Sequence, residues 1–131
     1  MPLTLINPAD RSVQESYTQV VVATGTRLVF VAGQVADDVH GHVVGPGDLR
    51  AQAHCAFANL GRCLDAAGAR PDQVARITVY VVDYEPANLP DISAARIALF
   101  GDHRPADTFL PVGALAEPGH LIEIEAIAVV D

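Results

Sequence analysis

Apolar positions along the chain follow two rhythms, a period of two and a period of three to four, and the places where one gives way to the other outline the elements. Val-rich runs at Gln19–Ala23 and Leu28–Ala32, split by Thr24-Gly25-Thr26-Arg27, predict two strands joined as a β-hairpin. A loop follows, "QVADDVHGHVVGPGD", with a short strand at Val43-Val44 and with Asp48 placed to cap a helix. From Leu49 to Ala67 the apolar side chains fall at Leu49, Ala53, Ala56, Phe57, Leu60, Leu64 and Ala67, a helical stripe that Gly68 ends. Residues 75–84, "ARITVYVVDY", are apolar on both faces and predict a buried strand. A shorter helix is expected from Asp91 to Phe100, between Pro90 and Gly101. Residues 106–115 predict a strand in which Pro111 must lie at an edge or a bulge, and residues 121–130, "LIEIEAIAVV", predict the last one.

The order strand, strand, helix, strand, helix, strand, strand describes one α+β domain built on one sheet. Two helices cover about one face of such a sheet, yet the strands offer apolar residues to both. Further copies of the chain are the expected cover, so a homo-oligomer is predicted.

Composition narrows the function. The 131 residues carry 16 acids and 8 bases, a net charge of −8, which argues against nucleic acid or an anionic membrane as partner. Every base is arginine, so a Schiff-base lysine is excluded. No apolar run approaches the roughly 20 residues of a membrane span, and the first residues lack the pattern of a secretory signal, so a cytoplasmic location is expected. Cys55 and Cys63, eight apart on one helix, cannot bridge and read as buried free thiols. His40 and His42 flank Gly41 without a third ligand nearby, so no metal is expected; His54, His103 and His120 read as packed or surface imidazoles, the last two at the surface. Motifs for acyl transfer, nucleotide hydrolysis and dithiol redox chemistry are absent from the sequence.

One pattern needs a chemical account. Alternation puts Glu123 and Glu125 on one face of a largely apolar strand. Together "RPADTFLPVGALAEPGHLIEIEAIAVVD", "LVFVAGQV" and "AQAHCAFANLGRCLDAAGA" resemble the Rid family, also called YjgF, whose best-known members are reactive-intermediate deaminases. The resemblance runs from about Tyr17 to the C-terminus. It implies a chorismate-mutase-like fold, a homotrimer whose sheets form a central barrel, and ligand clefts between adjacent subunits. It further implies hydrolysis of small imines or enamines to a ketone and ammonia, without a cofactor.

By that resemblance Tyr17 lines the cleft, Gly33 brings its backbone to the ligand with Ala32 where many members have serine, and Glu125 attends the attacking water. Phe109 is placed in the same cleft. Where the deaminases follow "RPA" with an arginine that forks onto the substrate carboxylate, this chain has Asp107. A carboxylate there repels what a guanidinium would bind, which turns specificity away from 2-imino acids unless Arg104 swings in. Asp107 and Glu125 are then the expected catalytic pair, able to share a proton, while Glu123 reads as a solvated or interface-paired acid. A binding trimer without catalysis, and a tailoring hydrolase or lyase of a specialised pathway, are the competing readings.

Overall fold

The computed structural model describes residues 3–131. Among the described residues six strands form, β1 (Leu3–Ile6), β2 (Val20–Ala23), β3 (Arg27–Gln34), β4 (Val74–Val82), β5 (Ala106–Val112) and β6 (Ile122–Val130). Two α-helices join them, α1 (Leu49–Ala66) and α2 (Leu89–Phe100). Both helices arise where the sequence stripe demands. Asp48 caps α1 by accepting from the Ala51 N–H at 3.0 Å, and Gln52, Ala53, Ala56, Phe57, Leu60 and Leu64 are its buried residues. Pro90 lies in the first turn of α2, so that helix begins two residues before the expected Asp91.

The main sheet has the order β3-β6-β4-β5. It is mixed, because β5 runs parallel to β4 while β6 is antiparallel to both β3 and β4. β5 is an edge strand, which is how Pro111 is accommodated inside it. Ile77, Val79 and Val81 of β4 and Ile122, Ile124, Ala126 and Ala128 of β6 project into one core with Phe57, Leu60, Leu64, Ile92 and Phe100 of the helices. The two helices therefore cover a single face. On the other face Leu28 is 61% and Phe30 71% exposed.

The expected hairpin does not form. β2 pairs with β1, and β3 pairs with β6 instead, so there is a separate two-stranded sheet beside the main one rather than a single sheet. The four residues "LTLI" of β1, stopped by Asn7-Pro8, are too short to advertise a strand, and without them the only visible mate for β2 was its neighbour in sequence. Gly25 is needed for a different reason from a hairpin turn. A Cβ there would lie 2.6 Å from the Val129 side chain and 2.8 Å from the Val130 carbonyl oxygen, so only glycine lets the chain cross the end of β6. At Val43 the expected strand is reduced to a single bridge to Asp37.

Candidate functional site

Asp107 lies near the start of the edge strand β5, opposite Ile77 of β4 in parallel register, so its side chain shares the helix-covered face with Ile77. On that face α2 supplies an unexpected neighbour. Ile92, Arg96 and Phe100 recur at intervals of four and make the buried stripe of α2, which places an arginine in the core, 6% exposed. Arg96 and Asp107 both line a cavity of about 460 Å³ between α2 and β5, along with Tyr17, Tyr84, Ser93 and Phe109. Tyr84 and Phe109 pack edge to face, with ring centroids 4.8 Å apart, and form an aromatic wall.

Among the described residues, three buried side-chain polar atoms have no hydrogen-bond partner, and two of them are Asp107 Oδ1 and an Arg96 guanidinium nitrogen, Nη1. The two groups make no ion pair with each other. Burial pushes the Asp107 carboxyl up from 3.8 to about 6, while Arg96 and Arg76 draw it partly back. Burial and then the neighbouring Arg104 charge lower the Arg96 guanidinium, which Asp107 partly offsets. A carboxyl that changes protonation near neutrality inside a half-enclosed cavity can both accept and return a proton.

Residues 9–130 match the protein-family model described as Endoribonuclease L-PSP. The chain belongs to the Rid/YjgF family. A RutC family protein of Pyrococcus horikoshii is 33% identical over 113 residues, covering 86% of this chain and 85% of that protein. A rat protein named 2-iminobutanoate/2-iminopropanoate deaminase is 33% identical over 114 residues, covering 87% and 80%. Among solved structures, a Rid-family protein of unknown function from Yersinia pestis superposes with a TM-score of 0.94 at 40% identity, over 99% of this chain and all of that one. A putative endoribonuclease of Thermotoga maritima gives 0.71 at 33% identity, over 88% and 87%.

Within one chain of this Rid protein the residues selected from the sequence fall into two groups. Tyr17, Asp107 and Phe109 meet in the cavity. Glu125 pairs in register with Thr78, the position next to Ile77, and so projects from the opposite face of the sheet to Asp107. The expected proton-sharing pair is thus not assembled by a single copy. Glu125 instead accepts a 2.7 Å hydrogen bond from the Tyr80 phenol, which together with the nearby acids pushes that phenol up. Ala32 and Gly33 form a β-bulge, two residues of β3 lying between the Val31↔Ala126 and Gln34↔Ile124 pairs where β6 has Glu125 alone. Glu123, expected as a solvated or interface-paired acid, packs its carboxylate over Gly33, where a Cβ would come within 2.1 Å of Oε2.

Arg104 does not line the Asp107 cavity. Its guanidinium donates to the Glu15 carbonyl and, at 2.9 Å, to the Gly101 carbonyl, while its own carbonyl accepts from the Thr18 hydroxyl at 2.5 Å. These bonds hold the segment bearing Tyr17 against the start of β5, a fixing role rather than a mobile one. Arg96 escaped the sequence reading, although one charged residue on the Ile92-to-Phe100 stripe was its signal. His120 is buried rather than at the surface, 6% exposed, and its Nδ1 lacks a partner. The His103 ring is half-buried, with Nε2 2.7 Å from the Val74 carbonyl oxygen. Cys55 and Cys63 are free and only half-buried, and burial pushes the Cys55 thiol up. Asp38 accepts from the backbone N–H groups of His40 and His42, each at 2.9 Å, which organises that exposed loop.

Proposed function

We propose that this Rid protein hydrolyses a small imine or enamine, with Asp107 as its proton-transfer group. The observation that carries the reading is the half-buried Asp107 carboxyl, whose buried Oδ1 has no partner, lining the cavity and titrating at about 6. Ionised, it holds the protonated nitrogen of an iminium and removes a proton from the water that adds to the C=N carbon. In the resulting carbinolamine the same proton passes to nitrogen, Asp107 takes up the hydroxyl proton as the C–N bond breaks, and that last proton leaves with the ammonia, so that C=NH₂⁺ and water give C=O and NH₄⁺. A pKa close to the working pH favours both halves of that transfer. Tyr17 and the aromatic wall limit the water that reaches the intermediate. The net charge of −8 and the lack of lysine weigh against RNA as the substrate, despite the name of the matched family model.

The assembly in this reading is a homotrimer with clefts between subunits. The Asp107 cavity lies at the β5 edge of the sheet, and the Ala32–Gly33 bulge at the β3 edge. A closed ring of head-to-tail copies would set one edge against the next, bring the two groups of residues together, and bury Phe30 and Leu28. Glu125, or the Glu123 carboxylate over Gly33, would then reach the cleft from the neighbouring copy. The separation of Glu125 from Asp107 within a single chain is what favours the alternative, a trimer that binds without catalysing.

The test is ammonia release from freshly generated imines, some with a carboxylate and some without. Wild type should release ammonia above the buffer rate, and Asp107→Asn should lose on the order of 100-fold. Equal rates for the two proteins above the buffer rate would overturn Asp107 as the proton-transfer group, and silence on every imine would leave the binding reading in its place. Light scattering after size exclusion should give three copies for wild type and fewer for Phe30→Asp.

A further inference from the structure

The cavity between α2 and β5 holds two opposite charges that do not touch. Arg96 comes from the helix and Asp107 from the edge strand, each presents a buried polar atom with no partner, and no ion pair joins them. Buried charges are ordinarily paired, because desolvation is costly and an unmade hydrogen bond in a low-dielectric setting is costlier than an exposed one. Here the pairing partner of each is missing, and both residues line one cavity. The cavity of about 460 Å³ is far larger than the roughly 30 Å³ of one water and within the ordinary range of small-molecule sites. Its remaining walls are mixed: Phe109, Tyr84 and Ile92 are apolar bodies, while Ser93 and Tyr17 offer hydroxyls.

Two fixed charges of opposite sign at separate points select a guest by both ends. A simple anion that satisfies Arg96 leaves Asp107 unpaired and is repelled by it. A simple cation has the converse problem. A molecule with an anionic group and a protonated nitrogen satisfies both, and its apolar middle meets the aromatic wall. We propose that this cavity binds a small zwitterion, its anionic end on Arg96 and its protonated nitrogen on Asp107. Arg96 is thereby a specificity-determining residue supplied by α2, and Arg104, fixed to the Glu15 and Gly101 carbonyls, has no part in it. The inference rests on the reading of the Asp107 cavity as the ligand site and names what that site selects.

The test uses the full chain in its own assembly and measures binding without turnover. Glycine, β-alanine and γ-aminobutyrate serve as zwitterionic probes of increasing length, with propionate and propylammonium as singly charged controls. Calorimetric titration of wild type should show at least one zwitterion binding at least tenfold more tightly than either control. Arg96→Met and Asp107→Asn should each remove that preference, and Arg96→Lys should keep part of it. Should Arg96→Met not fold, the wild-type series, Asp107→Asn and Arg96→Lys decide the matter. Controls that bind as well as every zwitterion, no binding by any zwitterion, or a preference that survives Asp107→Asn would overturn the proposal. Zwitterion binding with no ammonia release from any imine supports this inference and refutes the catalytic reading. Turnover of uncharged imines without a zwitterion preference does the reverse.

Discussion

Replacing Asp107 with Asn should stabilise the folded protein at neutral pH and leave it unchanged in acid. The carboxyl titrates at about 6 in the folded chain against an ordinary 3.8. Between those values the folded state holds a proton that the unfolded state has released. Stability of the wild type therefore falls as pH rises through that window, and is lowest above the folded value. A span of about two pH units at about 1.4 kcal/mol each gives about 3 kcal/mol, trimmed by the partial exposure of the group to about 2 to 3 kcal/mol. Asparagine has nearly the shape of the protonated acid and cannot ionise, so the comparison isolates the charge. Urea unfolding at a fixed protein concentration measures it, since any association shifts the apparent stability. With a slope of about 1–3 kcal/mol per M, the Asp107→Asn protein should unfold about 1–3 M later at pH 7.5 and at the same urea concentration near pH 4. Parallel stability curves for the two proteins from pH 4 to pH 7.5 would refute the account of a carboxylate held against its desolvation. So would a stability deficit of the variant at pH 7.5.

Three further outcomes follow from single contacts. Gln52, fully buried, donates to the carbonyls of Gly45 and Gly119 at 3.2 and 2.9 Å and accepts from the Leu121 N–H at 2.8 Å. Gln52→Leu should therefore cost about 3 kcal/mol in urea unfolding by stranding backbone groups where β6 begins. Gly33→Ala puts a methyl onto the Glu123 carboxylate, the flexible end of a side chain. It should fold with a loss of about 1 kcal/mol or less, and Glu123→Ala should abolish even that in a double-mutant cycle. Glu125→Ala removes both the hydrogen bond and the charge that hold the Tyr80 phenol up, so ultraviolet titration should show that tyrosine ionising at a lower pH, nearer its ordinary 10.0.

Whatever depends on local rhythm was readable along the chain. The stripe from Leu49 to Leu64 and the Asp48 cap dictate α1, because a helix satisfies its backbone internally and its apolar face is readable at intervals of three and four. Pro111 confined β5 to an edge or a bulge before any partner was known, and the edge is where it lies. The motifs of β3, α1, β5 and β6, taken in order, carried the family resemblance, and Asp107 stood out through the absence of an arginine.

Whatever depends on pairing at a distance came from packing. β2 and β3 are neighbours in sequence, yet their hydrogen bonds go to β1 and β6, since a strand leaves its bonds to be satisfied by whichever strand lies alongside. The same cause separates Glu125 from Asp107: register across β4 sets which face each occupies, and no spacing along the chain records it. Arg96, eleven positions before Asp107, joins it because α2 lies over the β5 edge. The charge at 107 was legible in one dimension, and the countercharge that gives it meaning was placed by the fold in three.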